Sequence, residues 1–224
     1  MRPDALGANP IIPPGHLTTG FLSTRELLPV LSEHGRNDVA YKLLLKDTYP
    51  SWLYCVKNGA TSVWERWDSW MPEKGFQDPR MNSFGMPHLM ASIVEWMMGY
   101  AGGIKPETAG FKEILIKPYP GEGLSWVDTS YDSIHGEIRS KWQKQDDGSL
   151  LLQVVIPPNT KATVSVPKIK REFVTVYEGN ALLWKDQKLN GNIPGISDAD
   201  EDSDYINFKV GSGIYEFKVI SKDS

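Results

Sequence analysis

The hydrophobic period of this chain changes once, near residue 110, from about 3.6 residues to 2. One spacing cannot serve both a helix face and a strand face. The chain is therefore expected to be α+β in sequence, with a helical part first and an antiparallel β-sandwich after it. Before the change, Leu27, Leu28 and Leu31 recur at helical spacing and Gly35 stops them. Ser23 or Thr24 can cap that helix, with Glu26 in the capping-box position. Val39, Ala40, Leu43 and Leu44 form a second stripe behind Asn37 or Asp38. A third helix takes Pro50 into its first turn, carries Trp52 and Val56, and ends at Asn58-Gly59 in a left-handed turn. A fourth is expected over residues 88–100, with Leu89, Ile93, Trp96, Met97 and Tyr100 on one face and Gly102-Gly103 as its stop.

After the change, residues 113–117, 124–132, 134–145, 150–156, 160–166, 173–177, 204–210 and 214–219 read as strands. Asp146-Asp147-Gly148-Ser149 and Gly211-Ser212-Gly213 read as hairpin turns, and the acidic run 190–204 as a solvated loop. The expected division is an irregular lead-in over 1–20, rich in proline, a partial helical domain over 21–107, and the sandwich over 108–224.

Residues 59–87 have no period, and Pro72, Gly75, Pro79, Gly85 and Pro87 interrupt every candidate element. A loop this long inside a compact domain is usually functional. It contains Ala60-Thr61-Ser62-Val63-Trp64-Glu65-Arg66-Trp67-Asp68-Ser69-Trp70. Five of the eight tryptophans lie from Trp52 to Trp96, three of them in this stretch. Flat apolar faces beside ionised groups suit a sugar ring: the faces cover C–H groups and the charges meet hydroxyls. Tryptophans at this spacing equally form a core stripe.

Glu65, walled by Trp64 and Trp67 and next to Arg66, can stay ionised in a shielded place and take a proton from water. The alternative is a structural pair with Arg66. Asp68 is either a second carboxylate or a group of the turn before Ser69; the turn is favoured. His88 can reach a sugar hydroxyl or cap its own helix. Tyr49, Trp52, Tyr54 and Trp96 are expected in helical cores. Trp126, Tyr131, Trp142, Phe173 and Phe217 are expected mostly in the sandwich core.

Other classes of function find no footing. A net charge of −4 with 23% charged residues makes no case for nucleic acid or an anionic membrane. No apolar run approaches the roughly 20 residues of a membrane span. The first residues have no apolar leader, so a soluble chain without a signal peptide is expected; the compartment stays open. Cys55 lies alone in an apolar run, which favours a buried inert thiol. No spacing of ligands calls for a metal and no phosphate loop for a cofactor.

Several motifs occur in a fixed order. They are Thr19-Gly20-Phe21-Leu22-Ser23-Thr24, Leu28-Pro29-Val30-Leu31, Tyr49-Pro50-Ser51-Trp52-Leu53-Tyr54, the stretch Gly59 to Asp68, Gly75-Phe76-Gln77-Asp78-Pro79 and Met81-Asn82-Ser83-Phe84. Glu95-Trp96, Ala101-Gly102-Gly103-Ile104, Pro118 and Tyr131-Asp132-Ser133 follow. In this order they resemble the C-terminal part of the bacterial α-L-rhamnosidases of glycoside hydrolase family seventy-eight.

The resemblance implies that the helices are the end of an (α/α)6 barrel and that the sandwich is the small domain behind it. It implies inverting hydrolysis of terminal α-L-rhamnosides, with Glu65 as the general base; Trp64, Arg66, Trp67 and His88 are the candidate substrate-binding residues beside it. The family carries its general acid on an upstream segment that is not among these residues. It reads Ser-Phe-Asn-His where this chain reads Ser83-Phe84-Gly85-Met86-Pro87-His88, which displaces the histidine. An inverting enzyme needs two carboxyl groups. The expectation is therefore half a site, inactive alone, with rhamnose-containing glycosides as ligands. Exposed apolar helix faces would be covered by the rest of such an enzyme or by self-association. The alternative is a non-catalytic carbohydrate-binding or structural fragment.

Overall fold

The computed structural model describes residues 15–19, 21–64, 66–76 and 93–221. Contacts divide the chain into two units, Met1–Val94 and Glu95–Ser224.

In the first unit, α1 (Phe21–Glu33), α2 (Asn37–Leu44) and α3 (Trp52–Lys57) follow one another through short turns. The buried face of α1 carries Thr24, Leu28 and Ser32 at successive four-residue steps. Its two hydroxyls are satisfied locally: Thr24 Oγ1 donates to the Thr19 carbonyl at 3.3 Å, and Ser32 Oγ donates to Asn37 Oδ1 at 3.0 Å. Thr24 therefore ties the helix back to the preceding chain and does not cap it as expected, because α1 already begins at Phe21.

Asn37 and Asp38 are not the cap of α2 either. Arg36 holds that place without a side-chain cap, and its guanidinium pairs with Asp38. Gly35, at φ +72°, makes the stop between α1 and α2. The cap of α3 is Ser51, whose Oγ accepts from Tyr54 N at 3.1 Å, so Pro50 lies before the helix and not in its first turn. Gly59, at φ +81°, ends α3 in the left-handed turn expected of it. A two-stranded ribbon, β1 (Trp70–Met71) and β2 (Gly75–Phe76), follows within the loop.

Residues 93–96 form one helical turn that runs into a π-turn, Met97–Ala101, at the start of the second unit. The sandwich follows. Its seven-stranded sheet has the order β11 (Lys188–Leu189), β10 (Ala181–Lys185), β9 (Val174–Glu178), β14 (Gly213–Ser221), β7 (Leu150–Ile156), β6 (Gly136–Lys144), β5 (Trp126–Ser133). The five-stranded sheet has the order β12 (Ile196–Glu201), β13 (Tyr205–Val210), β8 (Lys161–Pro167), β4 (Glu113–Ile116), β3 (Ile104–Pro106). Neighbours are antiparallel except β4 and β8, which run parallel.

Strict alternation places Ile138 and Trp142 of β6 in the core with Leu150, Leu152, Val154 and Ile156 of β7. Phe208 of one sheet stacks on Phe217 of the other at 5.4 Å, and Trp184 meets Phe208 edge-on. The turn after β6 has the expected chemistry: Asp147 Oδ1 accepts from the backbone N–H and hydroxyl of Ser149.

Four expectations are corrected. Gly211-Ser212-Gly213 is a crossover from β13 to the other sheet, because each flanking strand finds its partners elsewhere. The acidic run 190–204 contains an edge strand, β12, in which Asp198 and Asp200 face solvent and Glu201 pairs with the buried Lys168. Residues 104–106, assigned to the helical part, pair with β4 as an edge strand. Trp126, Tyr131 and Phe173 are exposed, whereas Trp142 and Phe217 are core.

Candidate active-site segment

The stretch from Ala60 to Trp70 is held by backbone and indole bonds. Ala60 N donates to the Cys55 carbonyl at 3.0 Å, which launches the segment from the end of α3. Residues 66–69 form a closed turn. Ser69 N donates to Arg66 O, Arg66 N donates to Ser69 Oγ, both at 3.2 Å, and Ser69 is buried.

Within that turn the Arg66 guanidinium grips both oxygens of Asp68: Nε donates to Oδ1 at 2.9 Å and Nη2 to Oδ2 at 2.8 Å. This is the fork geometry of a bidentate pair. The favoured reading of Asp68 as a turn group is refined by it: the hydroxyl of Ser69 closes the turn, and Asp68 anchors the arginine.

The tryptophans take different places. Trp64 is 5% exposed and leans on Trp70, with ring centres 6.5 Å apart. Trp67 is half-buried; its Nε1 donates to the Thr19 carbonyl at 3.1 Å, and its ring meets Trp52 edge-on at 5.5 Å. One side chain thus joins the residues before α1, the start of α3 and the loop motif. Trp52 is buried as expected, and among the described residues its indole N–H has no hydrogen-bond partner. Neither the role of Trp67 as a tie nor the orphan donor of Trp52 is legible from spacing.

Tyr49 meets Tyr54 edge-on at 5.4 Å, and the Tyr54 hydroxyl donates to Met71 Sδ at 3.5 Å. Burial, and then the Asp68 carboxylate, push the Tyr49 phenol up from its ordinary value. Behind this layer Cys55 is buried, and desolvation pushes its thiol up to about 12. That fits the inert thiol expected there. Glu65 and His88 lie outside the described residues. Among the described residues no group of three or more His, Cys, Asp or Glu side chains could hold a metal ion. No described helix is long and apolar enough to cross a membrane.

Comparison with known proteins decides the family. Residues 13–101 match the bacterial alpha-L-rhamnosidase six-hairpin glycosidase domain, and residues 103–180 match the bacterial alpha-L-rhamnosidase C-terminal domain. The chain belongs to the bacterial α-L-rhamnosidase family.

Within the family it is 45% identical over 204 residues to an alpha-L-rhamnosidase of Streptomyces avermitilis, covering 91% of this chain and 18% of that protein. It is 41% identical over 177 residues to one from Formosa agariphila, covering 79% of this chain and 19% of the relative. The structure of the S. avermitilis alpha-L-rhamnosidase complexed with L-rhamnose superposes with a TM-score of 0.75 at 38% identity, over 92% of this chain and 18% of that one. An alpha-L-rhamnosidase from Dictyoglumus thermophilum gives 0.77 at 31% identity, over 92% and 21%. The chain thus spans about a fifth of the length of these relatives and corresponds to a C-terminal part of such a protein. Its helical part followed by a sandwich is the fold of these rhamnosidase structures over that stretch.

Proposed function

We propose that this chain supplies the general-base side of an inverting α-L-rhamnosidase site, with Glu65 as the base. The reading is carried by one observation: the Trp64–Trp70 motif lies inside the stretch that matches the six-hairpin glycosidase domain. The hydrogen bonding of Asp68 supports it. Asp68, the other carboxylate of the motif, has both oxygens bonded to Arg66 and serves as its anchor, which agrees with the family resemblance that makes Glu65 the base.

In this reaction Glu65 removes a proton from a water molecule. The oxygen of that water forms a bond to the anomeric carbon as the bond to the leaving oxygen breaks on the opposite face. A second carboxyl group, supplied by residues outside these 224, protonates the leaving oxygen. The configuration of the anomeric carbon inverts. Trp64, Arg66, Trp67 and His88 hold the rhamnosyl ring of a rhamnose-containing glycoside. The helical part, ending before the edge strand that begins at Ile104, would serve this site.

Titration calorimetry with L-rhamnose tests the binding half of the reading. Saturable, weak binding is expected, and Trp67→Ala should weaken it about tenfold, the loss of one well-packed aromatic contact. Absence of heat up to high millimolar sugar, or binding indifferent to Trp67→Ala, would overturn it.

A further inference from the structure

The two sheets of the sandwich end on β11, β5, β12 and β3. Three of these edges carry the devices that keep an edge from pairing with another chain: short length, proline, charge or a bulge. β11 is two residues long. β3 is three residues long and ends on Pro106, which has no N–H to offer. β12 carries Asp198, Asp200 and Glu201, and its register shifts between Ile196 and Asp198.

The remaining edge is different. β5 runs for eight residues without proline or lysine, and its register with β6 is unbroken from Trp126 to Ser133. Among the described residues, no backbone other than that of β6 bonds to it. Two aromatic side chains stand exposed on it, Trp126 by 59% and Tyr131 by 42%. Of its two acids, Asp128 is gripped by Arg139 through Nε and Nη2 at 2.8 and 2.6 Å, and Asp132 faces Glu137 across the sheet.

We propose that β5 pairs antiparallel with β5 of a second copy of this chain, about a twofold axis through Thr129, so that the two seven-stranded sheets become one. The side chains select both the occupant and the register. Residues opposite each other in a sheet point to the same face, so even-numbered residues must meet even-numbered ones. An axis at Ser130 sets Asp128 against Asp132 twice, and an axis at Asp128 sets that acid against itself. Like charges in direct opposition are destabilising. Axes nearer either end of the strand pair fewer residues.

An axis at Thr129 pairs residues 126–132 with no acid opposite an acid. Thr129 meets Thr129, and Val127 meets Tyr131, both favourable cross-strand combinations. Asp128 meets Ser130. Trp126 meets Asp132, which gives an acid already facing Glu137 a neutral neighbour with an indole N–H donor. The exposed rings and the open backbone of the edge thus find their partners in the same arrangement.

Sedimentation equilibrium of the whole chain tests the proposal, which does not rest on the rhamnoside reading. A reversible dimer is expected at micromolar concentration, because one strand pair is smaller than a standard stable interface. Ser130 is exposed, so substitution there should leave the monomer folded, with an unchanged thermal melt. Ser130→Asp sets an acid against Asp128 on both sides of the axis and should weaken the dimer about tenfold. Ser130→Asn should leave it unchanged. A chain that stays monomeric up to about 100 µM would overturn the proposal, as would a dimer indifferent to Ser130→Asp. Binding of L-rhamnose should be equal in the parent and in Ser130→Asp, so the two readings fail separately.

Discussion

At the scale of single residues, the described groups of the site motif hold one another in place. Arg66, Trp67, Asp68 and Ser69 are engaged with one another or with Thr19. Their types were legible in sequence, but their partners were not. Adjacency offers Glu65 as one possible partner of Arg66; that a two-residue step in a closed turn brings Asp68 to the guanidinium is not visible in the sequence.

Cys55 shows the opposite case, where an apolar run sufficed to place a buried thiol. Its titration has a stability consequence. The folded thiol is pushed up to about 12 from its ordinary value of 9.0, so between those values the unfolded chain loses its proton first and the folded chain keeps it. Stability should be unaffected below about pH 9 and should fall as pH rises towards 12. Cys55→Ala, compared with the parent by urea unfolding at pH 8 and pH 10.5, should remove that part of the decline. An identical pH dependence in both proteins would contradict the burial of the thiol.

At the scale of elements, the joint at Gly102-Gly103 is the most constrained feature of the second unit. Trp142 Nε1 donates to the Ala101 carbonyl at 2.7 Å, Tyr119 N to Tyr100 O at 2.9 Å, and Lys117 N to Gly103 O at 2.8 Å. The Lys105 ammonium lies over the Tyr100 ring at 3.3 Å. A Cβ on Gly103 would stand 2.2 Å from the backbone nitrogen of Pro118, at φ +82°. Neither the clash nor the left-handed backbone can relax cheaply. Gly103→Ala should therefore cost about 3 kcal/mol or more in urea denaturation. Gly110→Ala is the control. It has a similar φ of +72°, but meets only the end of the Ile134 side chain at 3.5 Å, so it should cost about 1 kcal/mol. Equal losses would show that backbone conformation alone decides.

The strands that sequence reading found are those with clean alternation, such as β6 and β7. The ones it missed have that pattern broken. A bulge between Leu182 and Trp184 interrupts β10. β12 alternates only weakly and carries Asp198, Asp200 and Glu201, a composition that reads as loop until β13 supplies its partner. The crossover at Gly211-Ser212-Gly213 has hairpin chemistry, and only the pairing of the flanking strands with other partners distinguishes it.

At the scale of the whole molecule, the change of hydrophobic period near residue 110 was enough for the architecture, because burial on one side demands a different spacing in helices and in sheets. The family motifs were enough for membership, which the matches over residues 13–101 and 103–180 show. How the sandwich orders its strands was not legible, since β4 meets β8 only after three strands of the other sheet intervene.

On the proposed function, this chain brings the base of a rhamnosidase site and the acid comes from elsewhere. Hydrolysis of an aryl α-L-rhamnoside by the purified chain, measured beside Glu65→Gln, tests it most directly. No turnover above the buffer rate is expected from either protein. Turnover by the parent chain that Glu65→Gln abolishes would show that both carboxyl groups are present and would contradict it.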